Sequence, residues 1–185
     1  LCGLSFRISS QSFYQVNAVQ TEVLYETAMQ LAHVEEARCI VDAYCGTGTI
    51  GLCAADRVKQ LIGVELNADA VRDAKVNARL NQVANADFIC EDAGRFMVKM
   101  AKENLPLDVL IMDPPRSGSD ERFLRSVLTC RPKTIVYVSC NPETMARDLR
   151  YLEQNSKYRA RKIQPVDMFP HTHHVENVVK LVRRA

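Results

Sequence analysis

The chain has 185 residues, 47% of them hydrophobic, and a formal net charge of +2. Its length fits one domain of ordinary size, and its apolar content is sufficient for a substantial core. The near-balanced charge lacks the strong basic footprint of many nucleic-acid-binding domains, yet it does not exclude such a partner. The sequence shows neither an apolar run of roughly 18 residues nor a signal peptide, so we expect a cytoplasmic protein without a membrane partner.

The seven cysteines are an odd number and include no C-x-x-C pair. These features argue against a disulfide framework and against a structural zinc site, so we expect reduced thiols and no bound metal. Free cysteine is commonly a small buried hydrophobic residue. By residue type alone, each of the seven is expected in the core.

The first helix is predicted over residues 17–33. Its apolar residues recur at helical spacing and define an inner face made of Val19, Val23, Leu24, Ala28 and Leu31.

Short β-branched runs then alternate with helical patterns. Strands are predicted over residues 39–44, 61–65, 87–90, 107–112, 134–139, 158–166 and 175–183. Helices are predicted over residues 48–56, 68–81, 93–103, 119–128 and 143–154. In the helix over 68–81, the residues expected to face inward are Ala70, Val71, Ala74 and Ala78.

This β-α alternation predicts an α/β fold, in which a mostly parallel seven-stranded sheet is covered by helices on both faces. No helix separates the last two strands, so they should form a hairpin that makes the final strand antiparallel. Ligands of such sheets bind beyond the carboxyl ends of the strands. The residues at those ends are 44–48, Glu65, Asp92, Asp113 and Cys140.

A glycine-rich turn follows the first predicted strand. Residues 46–51 read "GTGTIG", a G-x-G-x-x-G pattern between a strand and a helix, and Glu65 ends the next strand. The glycines permit close backbone approach to a ligand, and the acid can accept hydrogen bonds from both ribose hydroxyls. The motif fits NAD as well as S-adenosylmethionine, and a tight turn without any ligand would use similar glycines.

Two carboxylates favour S-adenosylmethionine. Asp42 precedes Gly46 by four residues and can orient the loop around the methionine half of that cofactor. Asp92 follows the third strand, where it can accept from the adenine amino group. Both also have structural interpretations, because Asp42 can stabilise the turn and Asp92 can cap the next helix.

Residues 113–116 read "DPPR" and end the fourth strand. Two prolines cannot continue a central strand, so the chain enters a stiff loop beside the predicted pocket. Amino-methyltransferases carry an aromatic residue after a similar Asp/Asn-Pro-Pro turn. Here Arg116 follows, and its guanidinium suits a substrate phosphate or a base carbonyl, or alternatively a surface ion pair.

Cys140 ends the fifth strand, inside the stretch "VYVSCNPET" at residues 136–144. A cysteine at this edge can add to carbon 6 of a pyrimidine, which makes carbon 5 nucleophilic enough to accept a methyl group. A base must then remove the proton from carbon 5. His171, His173, His174 and Glu176 are candidates, since all four lie where the last strand begins.

The whole chain resembles the catalytic domain of the RNA uridine-5-methyltransferases. The motifs that carry the resemblance occur in the family's order: "SFYQVN" (12–17), "DAYCGTGTIGL" (42–52), "GVE" (63–65), "DPPRSG" (113–118), "VYVSCNPET" and "DMFPHTHHVE" (167–176). The resemblance implies a Rossmann-like class I methyltransferase domain over residues 1–185 that uses S-adenosyl-L-methionine to make 5-methyluridine in RNA. The wording "FYQVN" and "DMFP" favours 23S ribosomal RNA over transfer RNA as the substrate.

The resemblance also implies site residues. Cys140 would be the nucleophile and Glu176 the base, while Arg116 is predicted as a substrate contact from its own chemistry, as above. The cofactor site would comprise Gln15, Tyr44, Gly46, Thr49, Glu65, Asp92 and Asp113. Relatives often carry Asn at position 49, so Thr49 departs from the pattern, and Asp113 could instead contact the target uracil.

Two family features are missing: an N-terminal RNA-binding β-barrel and, in some relatives, a cysteine cluster for an iron–sulfur centre. With Leu1 in place of Met, we expect a fragment that binds cofactor but methylates RNA poorly. Three alternatives remain: a transfer-RNA uridine-5-methyltransferase, an amino-methyltransferase acting on adenine or guanine, and a non-catalytic binding domain or NAD oxidoreductase.

Overall fold

The computed structural model describes residues 1–9 and 15–184. The strands of this part of the chain are β1 (Cys39–Ala43), β2 (Gln60–Glu65), β3 (Ala86–Cys90), β4 (Val109–Met112), β5 (Thr134–Ser139), β6 (Tyr158–Val166) and β7 (Glu176–Arg183). Its helices are α1 (Ala18–Ala32), α2 (Thr49–Ala54), α3 (Ala68–Leu80), α4 (Ala93–Lys102), α5 (Glu121–Cys130) and α6 (Pro142–Gln154), with 3-10 turns at Val34–Glu36 and Ala55–Arg57.

All seven strands belong to one sheet in the order β3-β2-β1-β4-β5-β7-β6. The pairs among the first five positions are parallel. Strand β7 runs antiparallel to both of its neighbours, β5 and β6. The predicted mostly parallel sheet, the closing hairpin and the antiparallel last strand are therefore confirmed.

Alternate residues of the central strands supply two separate cores. Ile40 and Ile111 pack on one face of the sheet, in a cluster that includes residues of α1, α2 and α3. Val41 and Leu110 pack on the other face, in a cluster that includes residues of α4, α5 and α6. Strands β1 and β4 are buried along their whole length, as expected for parallel strands covered on both sides.

The predicted inner face of α1 is partly wrong. Leu24 and Ala28 are buried as expected, whereas Val19 and Val23 are 72% and 47% exposed. Thr21 and Tyr25 take their place in the buried stripe. These two residues tolerate burial because their hydroxyls are hydrogen-bonded, that of Thr21 to the Asn17 carbonyl and that of Tyr25 to the Thr49 hydroxyl. The predicted inner face of α3 is confirmed in full.

Most helices begin on an Asn or Asp side chain that accepts from a backbone N–H of the first turn, a contact worth about 1 kcal/mol. These caps are Asn17 for α1, Asn67 for α3, Asp92 for α4, Asp120 for α5 and Asn141 for α6. Helix α2 differs, because it begins on Gly48 without a side-chain cap of its own.

The cysteines occupy different environments. Cys39, Cys45 and Cys53 are buried as expected, while Cys2, Cys130 and Cys140 are half-buried. Cys90 is exposed, so the core prediction is wrong for this residue. None of the described helices is long and apolar enough to cross a membrane.

Candidate active site

The carboxyl ends of the parallel strands bring most of the predicted site residues to one edge of the sheet. Tyr44, Asp113 and Cys140 each come directly after a strand, and Glu65 ends β2. In the antiparallel pairing of β5 with β7, Ser139 lies opposite Asn177. Cys140 and Glu176 are the next residues on these neighbouring strands, so the pairing places them side by side at this edge.

The glycine-rich turn connects β1 to α2 and is held by Glu65. One carboxylate oxygen of Glu65 accepts from the Gly46 N–H at 3.1 Å, and the other accepts from the Asn67 N–H at 2.8 Å. Gly46 and Gly48 both have positive φ angles, 53° and 83°. A Cβ at Gly46 would meet no described atom within 4 Å, so the missing side chain leaves open space beside the loop.

The Asp42 side chain binds the first turn of α2. Its Oδ2 accepts from the Gly51 N–H at 3.0 Å, which supplies the cap that Gly48 cannot provide. Its Oδ1 is buried without a hydrogen-bond partner among the residues that the structure describes. Burial is the main cause that raises the Asp42 pKa to about 7; the Gly51 bond lowers it and the charge of Glu65 raises it.

Three further predicted cofactor residues also have protein contacts. Asp92 Oδ1 accepts from the Arg95 N–H at 2.9 Å, so this side chain caps α4. The Thr49 hydroxyl shares a 2.8 Å hydrogen bond with the Tyr25 hydroxyl. The Tyr44 ring packs on Phe123 with centroids 5.1 Å apart. These contacts orient the side chains.

Gln15 is half-buried and lies two residues before the cap of α1. That cap, Asn17, donates from its side chain to the Met168 carbonyl at 3.1 Å. The bond ties the end of the "SFYQVN" motif to the "DMFPHTHHVE" segment. Residues 12–14 of the first motif lie outside the described residues.

Asp113 is one of three acids that share a small region of the protein. Burial is the main cause that raises its pKa to about 8, and the charges of Glu176 and Asp42 add to the effect. In the free protein this carboxyl therefore favours its protonated form near neutral pH, chiefly because burial disfavours the charged form.

Replacing Asp113 with Asn should change how the stability of the ligand-free protein depends on pH. The folded-state pKa lies above the ordinary value, so the stabilisation is complete below that ordinary value and is lost as pH rises towards about 8. An amide cannot ionise. We expect Asp113→Asn to gain at least about 1 kcal/mol relative to wild type between about pH 5 and pH 8.

Urea unfolding at the two pH values measures this gain, with the exposed Asp87→Asn as the matched control. A difference between wild type and Asp113→Asn that is the same at both pH values would contradict the assignment of the proton to this carboxyl.

Cys140, Arg116 and Glu176 are the side chains that could take part directly in a reaction. Burial chiefly raises the pKa of the Cys140 thiol and the nearby Glu176 charge raises it further, while the nearby Arg116 guanidinium lowers it. Glu176 is 6% exposed. Burial raises the pKa of its carboxyl, and the charge of Arg116 lowers it. The positive charge of Arg116 thus acts on both groups, because it favours the thiolate of Cys140 and offsets the charge of Glu176. The sequence did not suggest this.

The loop that carries Arg116 is held by α6. The Arg116 carbonyl accepts from the Asn141 side-chain amide and from the Thr144 hydroxyl, both at 3.1 Å. Deeper in the protein, the fully buried Asp148 accepts from the Ser119 N–H and from the Tyr137 hydroxyl, both at 2.8 Å. The Asn-Pro stop after Cys140 therefore also starts the helix that positions the neighbouring loop.

The three histidines between residues 171 and 174 precede β7 near the same edge. His171 and His173 are exposed, and the rings of His173 and His174 lie 4.6 Å apart. The His174 N–H donates to the Thr172 hydroxyl at 3.2 Å, and that hydroxyl donates to the Phe169 carbonyl at 2.8 Å. These bonds shape the turn that leads into Glu176.

Comparison with known proteins gives concordant matches. The family model described as tRNA (Uracil-5-)-methyltransferase matches residues 3–184. An uncharacterized RNA methyltransferase of Listeria monocytogenes serotype 4b is 48% identical over 179 residues, and one of Oceanobacillus iheyensis is 47% identical over 178 residues. These matches cover 97% and 96% of this chain, but the chain spans only 39% of the length of either relative.

Among solved structures, the tRNA (uracil-54, C5)-methyltransferase of Pyrococcus abyssi in complex with S-adenosyl-L-homocysteine superposes with a TM-score of 0.80 and 35% identity. The match covers 97% of this chain and 42% of that one. It confirms the Rossmann-like class I methyltransferase fold.

Proposed function

Because the chain belongs to the tRNA (uracil-5-)-methyltransferase family, we propose that its protein transfers a methyl group from S-adenosylmethionine to carbon 5 of a uridine in RNA. The observation that carries this proposal is the juxtaposition of Cys140 and Glu176 at the carboxyl edge of the sheet, which follows from the pairing of β5 with β7. The charge of Arg116 acts on both groups. A nucleophile and a base are the two groups that this reaction requires of the protein.

The residues around the glycine-rich turn fit an adenosyl cofactor. Gly46 leaves open space beside the loop, Glu65 presents a carboxylate, and Asp42 keeps one buried oxygen without a described partner. The cofactor would be held by Gln15, Tyr44, Gly46, Thr49, Glu65, Asp92 and Asp113. When bound, S-adenosylmethionine supplies a methyl group on a cationic sulfur, which suits a site rich in carboxylates.

Cys140 and Glu176 then divide the chemistry on the uracil ring. The Cys140 thiolate adds to carbon 6, and the electrons of the C5–C6 double bond move to the carbonyl oxygen as an enolate, so carbon 5 becomes the nucleophile. After methylation, Glu176 takes the proton from carbon 5. The double bond re-forms, and the bond between sulfur and carbon 6 breaks.

Arg116 supports the first step, because its positive charge favours the thiolate over the thiol. Burial supports the second step, because a carboxylate with a raised pKa is a stronger base. The same environment thus shifts the pKa values of both groups.

The proposal extends to the cellular location. The seven free cysteines would stay reduced in the cytoplasm, which is the location that we propose.

The proposed substrate is 23S ribosomal RNA, because the motifs "FYQVN" and "DMFP" resemble those of the ribosomal-RNA enzymes of the family. Transfer RNA is the second candidate, since the family description and the Pyrococcus abyssi enzyme both name tRNA. The chain spans 39% of the length of the Listeria monocytogenes relative, so recognition of either RNA is proposed for the whole protein.

Mapping 5-methyluridine in cellular RNA after deletion of the full-length gene tests the proposal. We expect one 5-methyluridine to disappear from 23S ribosomal RNA while transfer RNA is unchanged. Loss from transfer RNA alone would support the second candidate. Unchanged 5-methyluridine in both RNAs would contradict the proposed reaction.

A further inference from the structure

The N-terminal segment of residues 5–9, here called the strap, is held along α3 by side chains at one-turn intervals. The Ser5 N–H donates to Asn81 Oδ1 at 2.9 Å, and the Arg7 N–H donates to Asn77 Oδ1 at 2.7 Å. The Ser9 N–H donates to Asp73 Oδ2 at 3.1 Å.

The spacing of these bonds has a simple geometric reason. Two residues of extended chain advance about 6.6 Å, and four residues of helix advance about 6 Å. Alternate backbone groups of the strap therefore match every fourth residue of α3. The two asparagines also donate back, Asn81 to the Ser5 carbonyl at 2.7 Å and Asn77 to the Arg7 carbonyl at 3.2 Å, which imitates the pairing of a strand.

Asn77 and Asn81 differ in the group that accepts their second amide hydrogen. Asn77 is fully buried and donates this hydrogen to the Thr47 carbonyl at 3.1 Å. Asn81 donates its second hydrogen to the Asn77 carbonyl, inside its own helix. Of this pair, Asn77 alone joins the strap to the glycine-rich turn.

Thr47 needs an outside anchor because glycines flank it. Gly46 and Gly48 both adopt left-handed backbone conformations. Glycine has more conformational freedom in the unfolded chain than larger residues, so fixing this turn costs more entropy. Glu65 holds the turn at the Gly46 N–H, and Asn77 holds it at the Thr47 carbonyl. The turn is thus set between β2 and α3, with the strap bonded to the same asparagine.

We propose that Asn77 is a positioning residue that couples the strap to the cofactor-binding turn, so that cofactor binding and ordering of the strap favour each other. The coupling is reciprocal: the free energy by which the ordered strap favours cofactor binding equals the free energy by which bound cofactor favours the ordered strap. This inference rests on the proposed cofactor site at residues 46–49.

The first test compares Asn77→Ala with Asn81→Ala, because both variants remove one amide pair with the strap and only the former releases Thr47. S-adenosylhomocysteine is the probe in titration calorimetry. We expect Asn77→Ala to weaken binding about five- to tenfold and Asn81→Ala less than about twofold, the difference of roughly one hydrogen bond. Equal weakening in both variants, or wild-type affinity in Asn77→Ala, would overturn the coupling.

A second measurement begins with the wild-type protein, where its first result does not depend on how any variant folds. Hydrogen exchange is followed at the Ser5 and Ser9 amides, which are bonded to Asn81 and Asp73 rather than to Asn77. S-adenosylhomocysteine should slow exchange at both amides in wild type. In Asn77→Ala, provided that the variant folds, this slowing should disappear. No slowing in wild type would contradict the inference.

Glu65→Ala separates this inference from the proposed cofactor site. If wild type binds S-adenosylhomocysteine and Glu65→Ala binds it equally well, then the site itself is wrongly placed. If Glu65→Ala loses binding while Asn77→Ala and Asn81→Ala behave alike, the site stands and only the coupling fails.

Discussion

Replacing Cys140 with Ser in the full-length protein should reduce formation of 5-methyluridine by at least about a thousandfold. A serine hydroxyl stays protonated at neutral pH, and Arg116 cannot lower its pKa far enough to make an alkoxide. Without an attacking group at carbon 6, carbon 5 of the uracil remains too weak a nucleophile to take a methyl group. Transfer of a radioactive methyl group from S-adenosylmethionine to RNA measures the loss.

Two controls separate a lost nucleophile from a damaged fold. Affinity for S-adenosylhomocysteine should stay within about twofold of wild type, because Cys140 lies at the end of β5 and outside the glycine-rich turn. Cys130→Ser is the matched variant: Cys130 is also half-buried, but it ends α5, away from the carboxyl edge. Cys130→Ser should keep wild-type turnover. Retention of more than a tenth of the activity by Cys140→Ser would remove the thiol from the mechanism.

The position of Cys140 could be predicted because strand direction follows from local patterns. A β-branched run predicts a strand, the intervening helices make the strands parallel, and parallel strands end at one edge. Tyr44, Glu65 and Asp113 reach that edge by the same reasoning. The hairpin after α6 then returns Glu176 to it, since consecutive strands without a helix between them pair antiparallel.

The features that sequence patterns did not predict depend on contacts between distant parts of the chain. The prediction for the inner face of α1 is wrong in part because a hydropathy pattern treats a side chain with a hydroxyl as exposed. Tyr25 is buried because its hydroxyl is hydrogen-bonded to that of Thr49, which lies 24 residues away in the sequence. The support of the Arg116 loop by Asp148 and the strap along α3 involve side chain to backbone bonds over long separations, and a polar side chain on a helix does not reveal which distant backbone it will bind.

The dual use of helix caps is a related case. Asp92 was open to two interpretations, a cap for α4 or an acceptor for adenine. The structure confirms the cap through Oδ1. A carboxylate has a second oxygen, so capping fixes the side chain at the edge of the sheet without exhausting its acceptors. The structural role therefore supports the proposed binding role.

Glu176→Gln should produce a different defect from Cys140→Ser, because it interrupts the reaction after the carbon–sulfur bond has formed. Glutamine keeps the size of the side chain but cannot take the proton from carbon 5. It also removes a negative charge that raises the Cys140 pKa, so formation of the thiolate becomes easier. We expect turnover to fall by about a hundredfold or more while a covalent protein–RNA adduct accumulates in the presence of S-adenosylmethionine.

A denaturing gel reveals the adduct, and mass spectrometry locates it on Cys140. The double variant Cys140→Ser/Glu176→Gln should show no adduct, because the nucleophile must act before the base. If Glu176→Gln turned over normally without an adduct, the proton would have to leave through another base at this edge. His174 would then be the first residue to test, since it is half-buried and lies two residues before Glu176. Loss of both turnover and adduct would instead mean that Glu176 acts before carbon–sulfur bond formation, for example on the Cys140 proton.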